Sequence, residues 1–375
     1  MRAVSILFRG FDWWLVISAL LLSGMGLVTM YSYQGDNVFF ERQFLWIVLS
    51  VIIMSLAIIP DYRFLRLGHT TFVLYLVMLV MLVLLLLVGD TVLGAQRRFD
   101  MGIFSFQPSE PAKLIIIALM AKYFSKRHEL IGDVKHIIVS GLYASIFFIL
   151  IFLQPDFGSA VIIGLIWFGM VLVSGIRLKH IVMVLLVAGM TFGGMWQFAF
   201  QDYQKQRILT FLDPLSDIQG SGYNAYQSLV AVGSGQLFGK GVGYGTQSKL
   251  KFLPEYETDF IFAAFAEEWG LLGVIFLFTL FSVLIWRLLY RATRVANNFE
   301  KLFITGVVVF FVSHFFIHIG MNIGLLPVTG TTIPFLSYGG THLMTEFLAL
   351  GMVMSMTREI RRKYVMEVSE VMDTK

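Results

Sequence analysis

Long apolar runs separated by short polar segments recur along the whole chain. A run of about 20 apolar residues, rising 1.5 Å per residue as a helix, crosses the ~30 Å hydrocarbon core of a bilayer. Ten such spans are predicted, over about 13–31, 43–59, 71–89, 109–124, 136–153, 158–175, 180–200, 260–286, 302–325 and 334–357. One polar stretch, about 201–258, is much longer than every other connection. The expected architecture is an all-α integral membrane protein with ten transmembrane helices. It forms one polytopic membrane domain over 1–375, with 201–258 as a large loop inside it. Within that loop, residues 223–232 carry apolar positions suited to a helix lying at the interface.

Composition agrees with this pattern. The chain is 57% apolar and 14% charged, with a mean hydropathy of +0.78, whereas soluble domains run nearer 45–50% apolar and about 25% charged. Arg2 and Arg9 precede the first run as they would in a signal peptide. The run is too long for a signal h-region, and Thr29-Met30-Tyr31-Ser32-Tyr33 offers no small-residue cleavage site, so it is expected as a retained first helix. The chain has no cysteine, which excludes disulfides and thiolate metal sites.

The net charge of +4 is explained by where the charge lies. An even number of spans puts both termini on one side. Of the 28 Lys and Arg residues, 19 fall on segments sharing that side, eight fall opposite, and Lys113 lies inside a span. The positive-inside rule therefore places both termini in the cytoplasm and the 90–108 and 201–258 loops outside. Nucleic-acid binding is not needed to account for the basic residues, and the short cytoplasmic loops leave no room for a catalytic domain. Chemistry belongs to the outer face.

Asp259 stands where the long loop meets the eighth span, with Thr258 before it as a candidate helix cap. Capping is the ordinary use of a carboxylate at a helix start. Glu110 and Lys113, three apart at the start of the fourth span, share a helix face and can pair. Charges at the bilayer centre cost about 2.5–3.5 kcal/mol each, so such residues usually face a cavity. Asp156, in the tight outer turn Gln154-Pro155-Asp156-Phe157-Gly158, either shapes that turn or adds a third carboxylate to the same rim.

In the long loop, Gly239-Lys240-Gly241-Val242-Gly243-Tyr244-Gly245-Thr246-Gln247-Ser248 lacks the Walker spacing. It is either a glycine-rich linker or a cradle in which Lys240 and backbone amides hold a diphosphate. Glu267 and Glu268, two turns beyond Asp259, are expected as buried, hydrogen-bonded carboxylates. His314 and His318 stand at i, i+4 without the intervening carboxylate of a zinc helix, and His342 with Glu346 reads as a packing hydrogen bond. Span ten opens with Pro334-Phe335-Leu336-Ser337-Tyr338-Gly339-Gly340, small residues suited to close helix approach or to exposed backbone beside a cavity.

Taken together, these motifs resemble the SEDS family (shape, elongation, division and sporulation), and within it the RodA branch. The carriers are Gly94-Ala95-Gln96-Arg97, Phe106-Gln107-Pro108-Ser109-Glu110 with Lys113, and Gln154-Pro155-Asp156. They continue with Gln206-Arg207, Gly239-Lys240-Gly241, Gly245-Thr246-Gln247-Ser248, Phe252-Leu253-Pro254-Glu255, Thr258-Asp259-Phe260-Ile261-Phe262 and the Pro334 to Gly340 run. Departures from the family pattern are Arg98 for a common Trp, Gln236 for a usual Gly, and Pro111 for a usual aliphatic residue.

The resemblance implies a ten-helix fold in the bacterial cytoplasmic (inner) membrane and a peptidoglycan glycosyltransferase that serves cell elongation and rod shape. Its substrate would be lipid II, a disaccharide-pentapeptide on undecaprenyl diphosphate, and its partner a class B penicillin-binding protein that supplies transpeptidation. Asp259 matches the family's essential aspartate and is the expected general base. Lys113, Arg207, Lys240 and Arg97 are the outer cations available to the leaving diphosphate, with Glu110, Asp156 and Ser337 at the substrate site. The resemblance implies no certain cofactor, and a divalent cation (Mg2+ or Mn2+) could assist. The alternatives are a lipid II flippase and a non-catalytic scaffold for the penicillin-binding protein.

Overall fold

The computed structural model describes residues 11–31, 38–89, 97–100, 102, 105–127, 133–213, 222–250 and 252–373, with side chains described as far as 358. The motif residues Gly94, Ala95 and Gln96 lie outside the described residues. In chain order the helices are α1 (Trp13–Tyr31), α2 (Val38–Ala57), the single turn α3 (Arg63–Arg66), α4 (Thr70–Val88), α5 (Ser109–Ser125), α6 (Val134–Leu153), α7 (Phe157–Val173) and α8 (Leu178–Phe198). They continue with α9 (Asp202–Leu212), α10 (Tyr223–Ser234), the single turn α11 (Thr246–Lys249), α12 (Ile261–Arg294), α13 (Asn298–Asn322) and α14 (Gly340–Asp373). A two-residue antiparallel ladder, β1 (Phe99–Asp100) with β2 (Ser105–Phe106), precedes α5.

Each expected span coincides with a helix. Among the described residues, seven helices are long and apolar enough to cross a membrane. The other three are α5 and α7, at 17 residues each, and α14, which runs on into a charged end. This is a multi-pass membrane protein.

Contacts between connections sort them to two ends, as the charge count predicted. At the outer end, Arg97 donates to the Pro155 carbonyl, Gln107 N–H to the Thr341 hydroxyl, Ser337 to the Thr258 carbonyl and Arg207 to the Val328 carbonyl. At the opposite end, buried Asp12 takes Arg287 at 2.7 Å and Arg291 at 2.6 Å, and Ser355 bonds the Pro60 carbonyl.

The uniformly apolar helices show which face is inward only once folded. On α4 the buried residues are Thr71, Tyr75, Met78, Leu82 and Leu85, a 3-4 stripe whose ring Tyr75 stacks on Phe147. On α8 only His180 and Val184 are buried, so nearly its whole surface is left for lipid. One hydrophobic core joins α1 to α14, with α13 near its centre (Phe303, Phe310 and Phe311 are fully buried).

Three expectations need correction. The last helix begins at Gly340, not near 334, because residues 323–339 run as irregular backbone across the outer end. Phe335 there has φ +63°, and its N–H bonds Glu346. Such backbone is tolerated at membrane depth only where protein covers it, and Thr331, Ile333, Phe335, Leu336 and Ser337 are all buried. Second, α10 is a helix as expected, but it docks on the protein, with Ser228 and Ala231 buried toward α12 and α13. Third, α12 is broken at Gly270 (φ +63°).

Loop 236–241 fills that break. Leu271 N–H donates to Gln236 O and Leu272 N–H to Leu237 O, while Lys240 N–H and Gly241 N–H donate to Glu267 O and Glu268 O. The backbones approach so closely that a Cβ on Gly270 would sit 2.2 Å from Gly239 N, and one on Gly239 2.1 Å from Glu268 O. Glycine is required at both positions.

Candidate active site

Asp259 lies in a turn two residues before α12, not in its first turn. The turn closes through Thr258 and Phe260 N–H groups that both donate to Glu255 O. Glu255 itself has φ +50°, a conformation that costs a non-glycine residue of order 1 kcal/mol. Thr258 does not cap the helix; its hydroxyl bonds the Glu255 carboxylate at 3.2 Å. The Asp259 backbone is held by Asn322, which donates to its carbonyl at 3.0 Å. Ser337 holds the preceding residue, donating to Thr258 O at 3.0 Å while accepting from Ile333 N–H. Tyr338 N–H adds a bond to Glu257 O.

The Asp259 carboxylate, by contrast, takes no hydrogen bond from the described residues and lies within ion-pair distance of none of them. It looks toward two guanidinium groups. A Cβ built on Gly330 would lie 3.4 Å from Asp259 Oδ2 and 3.9 Å from Arg97 Nη1, so both groups flank that glycine. Burial pushes the Asp259 pKa up to about 6; Glu255 and Asp156 add to the rise, and Arg207 and Arg97 oppose it. Burial also lowers the Arg207 pKa, with Asp259 pulling it back.

Arg97 and Arg207 face one cleft, together with Pro155, Phe157, Tyr203, Gln204 and Val328. Arg97 spends one nitrogen on the Pro155 carbonyl, and its buried Nε has no partner. Arg207 bonds Val328 O at 3.3 Å and lies over the Tyr203 ring. Asp156 borders this cleft but serves the fold: it caps α7 by accepting from Ser159 N–H at 3.2 Å, and it accepts from the Gln107 side chain at 3.0 Å. Ser109 contacts Asp156, and α5 starts without a side-chain cap.

Glu110 and Lys113 form a second, fully buried group. Lys113 Nζ lies 2.6 Å from Glu110 Oε1 and 3.1 Å from His314 Nε2. His314 Nδ1 faces the Thr332 carbonyl at 3.0 Å. A carbonyl can only accept, so Nδ1 carries the ring proton and Nε2 is left to accept from lysine. Glu110 Oε2 meets His342 Nδ1 at 2.7 Å, and His342 Nε2 meets Glu346 Oε1 at 2.9 Å. Only the Nδ1 contact has hydrogen-bond geometry; His342 Nε2 and Glu346 Oε1 approach without it. His318 bonds the Thr331 carbonyl at 2.7 Å. The His314 and His318 spacing thus serves the irregular backbone of 331–332. Among the described residues no three His, Asp or Glu side chains are arranged so that they could hold a metal ion.

Residues 4–362 match the family model for cell cycle proteins of the FtsW, RodA and SpoVE type. The chain belongs to that family. It is 37% identical over 345 residues to the peptidoglycan glycosyltransferase MrdB of Escherichia coli K12, covering 91% of each chain. It is also 37% identical over 361 residues to stage V sporulation protein E of Bacillus subtilis, covering 93% of this chain and 98% of that one. A chain in a solved peptidoglycan synthase complex that coordinates polymerization and crosslinking superposes with TM-score 0.80 at 29% identity, covering 93% of this chain and 98% of that one. The rod-shape-determining protein RodA of Thermus thermophilus gives 0.70 at 28%, with 93% and 97% covered.

Lys240 of this FtsW/RodA/SpoVE-family chain is placed apart from the cleft. Its Nζ pairs with Glu267 Oε1 at 2.6 Å and the Thr246 hydroxyl at 2.8 Å. The same carboxylate accepts Thr246 N–H at 2.9 Å and Gln247 N–H at 3.2 Å, and Glu268 accepts Gly243 N–H at 3.0 Å. The oriented amides of the glycine-rich loop do converge on an anion, but the anion is the protein's own. Gln236, which stands for a usual glycine, has φ +49°, the left-handed region where glycine is favoured.

Sequence reasoning missed Asn322 and the joining of His342 to Glu110. Both are contacts between helices far apart in the chain, for which periodicity gives no signal.

Proposed function

We propose that this protein is a peptidoglycan glycosyltransferase that polymerises lipid II at the outer face of the cytoplasmic membrane, in elongation and rod-shape maintenance, with Asp259 as general base. The observation that carries the reading is a half-buried carboxylate, free of donors among the described residues, set near two arginines that line a cleft. A sugar hydroxyl of one substrate attacks the anomeric carbon of the other. Asp259 takes the hydroxyl proton, the new C–O bond forms, and the bond to the lipid diphosphate breaks, releasing it. A pKa near 6 keeps the base ionised at neutral pH yet close to the working pH, where general-base catalysis is efficient.

Arg97 and Arg207 compensate the charge that grows on the departing diphosphate. The buried Glu110–Lys113–His342–Glu346 group supports the irregular segment through Glu346, which holds Phe335 N–H, and through His314, which links Lys113 to the Thr332 carbonyl. Lys113 and Glu110 act as one unit in this reading, Ser337 and Asp156 position backbone, and Lys240 anchors the outer loop. The whole chain works as one membrane unit, and a class B penicillin-binding protein is the partner that would crosslink its product; the peptidoglycan synthase complex found by structural similarity supports that pairing.

The break in α12 at Gly270 is a feature that lipid transporters share. Here the groups it frees are bonded to loop backbone, which favours a rigid scaffold over an alternating one. The test is labelled lipid II with purified protein, read as glycan ladders. The native chain should form ladders, and Asp259→Ala should form none while unfolding at the same temperature. Flipping in liposomes without ladders would assign the chain to transport.

A further inference from the structure

Asn322 is completely buried at the C-terminus of α13, and it uses its whole hydrogen-bonding capacity. Its Nδ2 donates to Asp259 O at 3.0 Å and to His318 O at 2.8 Å. Its Oδ1 accepts Ala263 N–H at 3.2 Å, and Ser228 of α10 reaches it at 3.4 Å while bonding its backbone carbonyl at 2.8 Å.

Ala263 is the third residue of α12, the position whose N–H is normally satisfied by the side chain of the helix's own cap residue. The cap of α12 is Phe260, which has no such oxygen, and neither Thr258 nor Asp259 supplies one. The cap comes from another helix. An aspartate so close to a helix start, left without such a substitute, would find its lowest energy in capping, with its carboxylate turned into the helix and away from the cleft.

We infer that Asn322 is a positioning residue of the reaction: by capping α12 from a neighbouring helix and clamping the Asp259 backbone, it leaves the Asp259 carboxylate uncommitted and close to Arg97 and Arg207. The bond from Ser228 extends the same clamp to α10, so the outer loop is tied to the placement of the base. This inference rests on the reading of Asp259 as the general base.

The test uses the full-length protein with labelled lipid II, measuring kcat and KM separately beside the unfolding temperature. Asn322→Leu keeps the approximate volume and removes every side-chain hydrogen bond. Its kcat should fall on the order of 100-fold, the effect of about 1 Å of misplacement at a reacting centre, with KM within about threefold because the cleft residues are untouched. Ser228→Ala loosens the clamp by one hydroxyl and should lower kcat about threefold at an unchanged unfolding temperature. A folded Asn322→Leu protein with native kcat overturns the inference, as does one whose kcat and KM worsen together with its folded fraction. If Asn322→Leu does not fold, Ser228→Ala decides, and native kcat there overturns it. Asp259→Ala is run in parallel: ladders from that variant would remove the general base itself, whereas no ladders from it with native kcat in the Asn322 and Ser228 variants would remove only the positioning role.

Discussion

Two carboxylates only eight residues apart, Asp259 and Glu267, are treated in opposite ways by the fold. Glu267 is fully buried and saturated: a lysine, two backbone amides and two hydroxyl groups point at it. Asp259 has its backbone held firmly, yet its carboxylate receives no donor and is left facing two arginines that do not bond it. A saturated carboxylate holds structure together. A desolvated one with free lone pairs is a base. The same residue chemistry therefore does structural work in one place and is available for catalysis a turn or two away, and the number of donors aimed at each decides which.

Removing each carboxylate should separate these roles most clearly. Asp259→Ala removes the base and is expected to abolish turnover without loss of stability. Glu267→Ala leaves Lys240 and the amides of Thr246 and Gln247 facing a void. Each buried donor left without an acceptor costs about 1–3 kcal/mol, so the unfolding temperature should drop and the 236–247 loop should become protease-sensitive. An Asp259→Ala protein destabilised as much as Glu267→Ala would break the contrast.

A second effect concerns pH. The folded-state pKa of Asp259, about 6, lies above the ordinary carboxylate value near 4. The folded protein thus holds that proton more tightly than the unfolded chain, and the stability this contributes is complete below about pH 4 and lost as pH rises through 6. Turnover runs the other way, since the base must be ionised. The acid limb of kcat/KM should fall near pH 6, and Arg207→Met, which removes a cation favouring the ionised form, should move that limb upward. A limb that stays in place in the variant would mean that another group controls the rate.

The smallest effect should come from Lys240→Met. The ammonium is 29% exposed, so screening limits its contribution to about 1 kcal/mol. Polymerisation should stay within about twofold of native. A large loss of turnover at native stability would instead restore Lys240 to the diphosphate site that its glycine-rich surroundings suggest.

Much of this was legible in the sequence because it depends on solvation, which acts locally. Apolar length alone fixes the spans, since an unpaired backbone cannot enter hydrocarbon and twenty residues are needed to cross it. The charge asymmetry sorts the loops to two sides, and the spacing of Glu110 and Lys113 guarantees that they can meet. The grouping of Asp259 with Arg97 and Arg207 came from the family resemblance, since a carboxylate at a helix start by itself reads as a cap. The tertiary structure decided everything that depends on which face turns inward. A helix as uniformly apolar as α4 carries no periodic signal of its buried stripe. Nor could local sequence show that Lys240 would be consumed by Glu267, that histidines 314 and 318 would bond the carbonyls of an irregular segment, or that Asn322 would cap a helix to which it does not belong. Each of these is a choice among partners brought together from across the chain. That choice follows from close packing and the cost of burying an unpaired polar group, which act only after the helices have met.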